Sequence, residues 1–220
     1  MGWENLLRNE RIRKRFFGTS EISPVVILTP ITALYDIFES YPKVNETKGW
    51  WQQKEVVLNK KKTSLIKIPQ GNSVIDVIES LDEIEKVIFM GYAGGLSNNV
   101  DIGNILCPHT ALFENLSGYR TNTQNFNGYN VNEGKVMLTN SFFEQDQQFI
   151  DMAKSNNVVG VDMETYLVYS RCNAKNILVD SFLIVTDLID KKQFYMTTDE
   201  DLSLVDKSYK PLEELVINAI

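Results

Sequence analysis

The chain has 220 residues, 43% hydrophobic and 23% charged, which suits one α/β domain with a substantial core and leaves little room for two. Its formal net charge of -7 argues against a general nucleic-acid or anionic-membrane binder, and no apolar run approaches the ~20 residues of a membrane span. Two distant cysteines, Cys107 and Cys172, and a single histidine, His109, give no basis for a disulfide framework or a cysteine- or histidine-built metal site, so no metal and a reducing cytoplasm are expected.

In chain order, "WENLLRNERIRKRFFG" mixes five arginines and lysines with apolar residues and predicts a basic amphipathic arm over 1–23, its helix ended by Gly18. The polar start does not read as a secretory signal. A single domain is expected over 24–220. "PVVILTP" reads as a buried strand and "ITALYDIFESY" as the helix after it. "EVVL" and "SLIKI" flank "NKKKT" as a hairpin. "PQGNSVIDVIESL" is a glycine turn leading into a helix, "KVIFM" a strand ending at "GYAGGL", and "GNILCP" another short strand. The Asn- and Gly-rich stretch "NLSGYRTNTQNFNGYNVNEG" predicts a long surface excursion. "KVMLTNSFF" follows as a strand, "EQDQQFIDMAKSN" as a helix, "VVGV" as a strand and "METYLVYSRCN" as a helix. "ILVDSFLIVTD" holds a buried strand and "KPLEELVINAI" a closing helix. This alternation favours α/β architecture, with helices on both faces of a mostly parallel sheet.

In such sheets ligands bind beyond the carboxyl ends of the strands, and three stretches place unusual residues there. In "KVIFMGYAGGL", Gly91, Gly94 and Gly95 follow an apolar strand and allow close backbone approach, without forming a dinucleotide or phosphate-loop fingerprint. In "VVGVDMETYLVYS", Asp162 and Glu164 stand at a helix start. Both suit the helix dipole, and Asp162 reads as the N-cap. A carboxylate there can also accept two hydroxyls, as from a ribose diol. In "SFLIVTDLID", Asp187 sits at the exit of an interior strand. It caps the next element or serves, partly desolvated, as a general acid.

Together these stretches resemble the nucleoside phosphorylase and nucleosidase superfamily, which shows a Gly-Thr/Ser-Ala/Cys-Gly-Gly/Ala loop, a Val-Glu/Asp-Met-Glu helix entry and a strand ending in Ser-Asp. Here they stand as "GYAGGL", "VDMET" and "VTDLID", in that order, with softer echoes in "DIGNILCP" and "LTNSFFEQDQQFI". The resemblance implies a three-layer α/β/α sandwich around a mixed, mostly parallel, partly barrel-like sheet, and a homo-oligomer. It implies cleavage of the N-glycosidic bond of a purine nucleoside. Glu164 and the Met163 backbone would bind the ribose, Asp187 would donate a hydrogen bond or proton to the purine at N7, and Phe142 or Phe143 would stack on the base. The loop residues Tyr92, Ala93 and Gly94 would line the site. No cofactor is implied, except phosphate as co-substrate in a phosphorylase, and the partner is a small-molecule nucleoside rather than nucleic acid or membrane.

The pattern departs from that family where the acceptor is handled. "LTPITALY" and "IFMGYAG" lack the arginines that hold phosphate in phosphorylases, and no acid stands at Ala33 or at Ile31 and Thr32 before it, where nucleosidases place a glutamate. Tyr92 replaces a small hydroxyl residue. The expectations are a nucleosidase whose water is held by another group such as Asp36 or Tyr92, a phosphorylase using arginines of the Arg8–Arg15 segment of a neighbouring subunit, or a member that binds without turnover. Hydrolysis ranks first, because water needs less dedicated machinery than phosphate. His109, after "LCP", is expected to be a loop residue without catalytic duty.

Overall fold

A computed structural model of the protein describes residues 3–113, 118–121, 126 and 129–220, with side chains from residue 7 onward. Much of the stretch expected as a surface excursion lies outside the described residues. Its described parts include a short strand, β7 (Gly118–Arg120).

The chain opens with α1 (Trp3–Phe17), then β1 (Val25–Thr29), all five residues of which are buried, and a short helix α2 (Thr32–Asp36). The longer helix expected after β1 stops early, because Phe38 drops into the core and Glu39 turns to bind Lys54. Three strands follow: β2 (Lys43–Lys48), β3 (Gln52–Leu58) and β4 (Lys61–Lys67). The last two form the expected hairpin. Its turn is the pair Asn59 and Lys60, both at positive φ (45° and 64°), the backbone that matches strand twist in two-residue loops. Strand β2 carries no hydrophobic signal. It is an exposed edge held by backbone pairing to β3, and its charges protect it from foreign strands.

Helix α3 (Ser73–Ser80) leads to β5 (Lys86–Gly95), and then come β6 (Ile105–Leu112), β7 and β8 (Asn132–Leu138). Beyond these lie α4 (Gln147–Ser155), β9 (Val158–Asp162), α5 (Thr165–Ala174) and β10 (Leu178–Leu188), and the chain closes with α6 (Asp199–Lys207) and α7 (Tyr209–Ala219). Sequence patterning passed over α6, whose start is fixed by a capping box between Thr198 and Asp201.

The sheet is mixed and forks at β5. One edge of β5 pairs in parallel with β10 along nearly its whole length. The other edge is shared, with β1 taking the amino-terminal half in parallel and β9 the carboxyl-terminal half at Gly94 and Gly95. Through β1 the sheet continues as an open wing, β4–β3–β2; through β9 it continues to β8, β6 and back to β10, closing a five-stranded barrel. Two glycines make the closure possible. A Cβ on Gly94 would lie 2.5 Å from the Ile189 side chain, and one on Gly160 would lie 2.5 Å from Leu106.

Alternation along the strands fills two layers. Val26 and Leu28 of β1 face a core shared with α3 and α5, where Val77, Ile78, Val168 and Tyr169 are buried. Ile27 faces the other side, with Phe38, Ile88, Phe182 and the α7 residues Leu212, Leu215 and Val216. Helix α4 covers the barrel through Ile150 and Ala153. The result is the three-layer α/β/α arrangement.

Candidate active site

At the carboxyl ends of β1, β4, β5 and β10 the fork leaves a cleft of about 160 Å³. Several elements bring residues to it, the turns after β1 and β4 through Pro30, Ile31 and Gln70 among them.

Strand β5 contributes Tyr92, Ala93 and Gly94. The Tyr92 hydroxyl does not point at free space: it shares a 2.7 Å hydrogen bond with Tyr209 of α7, and burial raises its pKa. Strand β10 contributes Asp187 through an irregularity. Val185 pairs with Ala93 and Asp187 with Gly94, so Thr186 is an extra residue, a bulge that re-aims the following side chain. Asp187 is buried, and burial raises its carboxyl pKa; the Thr186 hydroxyl (3.1 Å) and the Phe194 N–H pull against that rise.

The junction of β9 and α5 supplies Asp162, Met163 and Glu164. Asp162 Oδ2 accepts from Thr165 N (2.8 Å), Thr165 Oγ1 (2.5 Å) and Glu164 N (3.3 Å), which starts α5. The N-cap expectation holds in that sense, although Glu164 occupies the capping position itself. Glu164 Oε1 accepts the Gly71 N–H at 2.6 Å. Gly71 has φ +74°, where a side chain would be strained, so the turn after β4 is shaped to present this donor. Burial and then the neighbouring Asp162 charge push Glu164 up to about 7, against the Gly71 and Met163 N–H groups. Burial also carries Asp162 to about 6 despite its three donors.

Another wall is the loop after β8, where Asn140 N and the Thr139 hydroxyl bond Glu144 and hold a short 3-10 turn, Phe142–Glu144. Phe142 lines the cleft and meets Phe194 from the far side, ring centroids 4.7 Å apart. Phe143 is 98% exposed and does not line the cleft, so of the two expected aromatic residues only Phe142 is placed there. The turn starts with the Ser141 hydroxyl oxygen accepting the Phe143 N–H at 3.2 Å.

Other candidates fall outside. Asp36 is exposed on α2 and His109 lies in β6 rather than a loop, bonded to Thr110 at 2.9 Å; neither lines the cleft. Arg13 lies at the opposite pole, bound to Asp82. Among the described residues, those lining the cleft include three carboxyls and no Lys, Arg or His. Sequence reasoning did not single out Gln70, Gly71, Gln145, Thr186 or Phe194. The turn "PQG" directly after a buried strand was the available signal for the first two; Phe194 sits in a stretch with no periodicity at all.

No protein-family model matches the chain. Over 174 residues it is 24% identical to a DeoD-type purine nucleoside phosphorylase of Buchnera aphidicola subsp. Baizongia pistaciae, covering 70% of this chain and 73% of the relative. A second such relative, from Buchnera aphidicola subsp. Acyrthosiphon pisum (strain Tuc7), is 22% identical over 226 residues and covers 89% and 95%. Among solved structures, an AMP nucleosidase from Bacteroides thetaiotaomicron superposes with a TM-score of 0.69 at 20% identity, covering 96% of this chain and 98% of the other. The 5′-methylthioadenosine/S-adenosyl homocysteine nucleosidase of Helicobacter pylori gives 0.71 at 18% identity over 87% and 97%. A uridine phosphorylase from Vibrio fischeri gives 0.70 at 17% over 90% of each chain. The chain thus shares the fold of the nucleosidases and nucleoside phosphorylases among its structural neighbours, and over most of its length it is similar in sequence to DeoD-type purine nucleoside phosphorylases.

Proposed function

We propose that this enzyme hydrolyses the N-glycosidic bond of a purine nucleoside. The observation that carries the reading is that Glu164 and Asp187, far apart in sequence, line one cleft and are both held above the ordinary carboxyl range by burial. Cleaving this bond sends an electron pair to the base and leaves positive charge on the sugar. Asp187, whose burial favours the protonated form, donates to the base and stabilises it as a leaving group. Glu164 and the Met163 backbone grip the ribose hydroxyls, and the Phe142 ring packs on the base. Water rather than phosphate is the favoured acceptor, because the cleft, among the described residues, offers an anion three carboxyls and no cation.

Phosphorolysis is the second reading, favoured by the purine nucleoside phosphorylases among the relatives. It calls for cations from a neighbouring subunit. A homo-oligomer fits the exposed rim of Phe142, Phe143, Phe194 and Tyr195 at the cleft mouth. Incubation with a panel of nucleosides, with and without phosphate, separates the two. Free base in phosphate-free buffer is expected; base release that depends strictly on phosphate overturns hydrolysis.

A further inference from the structure

The cleft holds one acid more than sugar and base require. Asp162 is 4% exposed, and its Oδ2 carries all of the helix-start bonding, from Thr165 N, Thr165 Oγ1 and Glu164 N. Its Oδ1 is buried and, among the described residues, has no hydrogen-bond donor, although the residue lines the cleft. An unpaired buried carboxylate oxygen costs about 1–3 kcal/mol or more, and in native structures such groups have an explanation. Helix capping does not supply one, since that task uses only the other oxygen. Meanwhile the turn after β1, which reaches the cleft through Pro30 and Ile31, brings no acid to it. Hydrolysis needs a proton acceptor for water, and Glu164 and Asp187 are committed elsewhere.

We infer that Asp162 Oδ1 is the general base that takes the proton of the attacking water. The inference rests on the hydrolytic reading above. In the step, the water oxygen bonds to the sugar carbon as the C–N bond breaks and its electron pair passes to the base. The proton of Asp187 goes to the base, and a water proton goes to Asp162. Return of that proton to Asp187 through solvent completes the cycle, so nucleoside and water give free sugar and free base. Above pH 7 Asp162 is ionised, as a base must be, because burial raises it only to about 6. The charge facing it from the same turn is Glu164.

Two variants test this, the first at pH 8. Asp162→Asn keeps an oxygen for the Thr165 donors, so the start of α5 is preserved. Its kcat for base release should fall by about 100-fold or more, the range expected for loss of a general base. Its Kd for a C-nucleoside, whose C–C bond cannot be hydrolysed, should stay within about threefold and its Tm within about 2 °C. Thr165→Val deletes the hydroxyl that bonds Oδ2 and favours the ionised carboxyl, so it should lower Tm and move the acid limb of the kcat profile to higher pH. Undiminished kcat in Asp162→Asn overturns the assignment. So does joint loss of kcat, affinity and Tm in both variants, which makes Asp162 a structural cap only. Wild-type protein that releases base only with phosphate points instead to failure of the hydrolytic reading.

Discussion

The two poles of the sheet treat buried acids in opposite ways. At the amino pole, where α1 docks, Asp82 meets Arg13 at 2.6 Å and also accepts from Asn9, while Arg13 donates to the Ser20 and Ser80 carbonyls. The carboxyl end of α1 is equally well satisfied: Trp50 N and Trp51 N bond the Arg15 and Phe16 carbonyls, and Thr47 bonds that of Phe17. At the carboxyl pole, Asp162, Glu164 and Asp187 sit buried with N–H and O–H donors but, among the described residues, no ion pair. Paired charge holds structure together; unpaired acid, kept where water cannot solvate it, has its proton affinity raised. Such raised affinity is what proton transfer near neutral pH needs.

The comparison is broken most directly at Asp187. Asp187→Asn removes the donated proton while keeping the shape, so kcat should drop by roughly 10²–10³-fold with little change in nucleoside affinity. Base-release kinetics beside calorimetric binding measure both, and wild-type turnover would remove Asp187 from the chemistry. Glu164→Gln comes next. Replacing a charged acceptor by a neutral one weakens hydroxyl binding by roughly 10-fold and should lower kcat as well, since the same contact steadies the charged sugar. A variant with unaltered KM would show that the ribose is held by other groups.

At the opposite pole the expected currency is stability. Arg13→Ala strands Asp82 without its cation, a change that typically costs about 3 kcal/mol when both partners are largely buried. For a chain of this size that is a Tm loss of roughly 6–12 °C, read by calorimetry, while kcat at a temperature well below the transition stays at the wild-type level. Loss of activity in folded Arg13→Ala would erase the contrast between the poles.

How much of this was legible follows from where the signals come from. Strands β1, β5 and β10 announce themselves by continuous apolar runs, because both of their faces are buried. The α/β class and the carboxyl-pole location of Asp187 and Glu164 follow from them. Strand β2 was invisible because backbone pairing alone makes an edge strand. The fork at β5 was invisible for a related reason: closure depends on which half of one strand pairs with β1 and which with β9, and composition does not encode that. The choice between Phe142 and Phe143 depends on the path of a 3-10 turn, which residue type does not encode. The bulge at Thr186 and the Gly71 donor are likewise decided by backbone geometry, not by residue type.

The smallest effect separates the poles by pH. Glu164 ionises at about 7 in the folded protein, above its ordinary value, so the folded state binds more protons than the unfolded one across that interval. Its contribution to stability is therefore intact below about pH 4.5 and is lost as pH rises through about 7; Asp162 follows the same sign through about 6. The raw Tm carries the pH response of the whole chain, so the informative quantity is a difference between variant and wild type. Glu164→Gln matches the protonated wild type at pH 5 and avoids the buried charge at pH 8. The variant should thus equal wild type in stability at pH 5 and exceed it by roughly 2 kcal/mol at pH 8. Chemical denaturation at the two pH values measures that gap. A gap that does not change with pH would mean that Glu164 titrates as an ordinary surface acid, and the carboxyl pole would then hold no strain to be spent on catalysis.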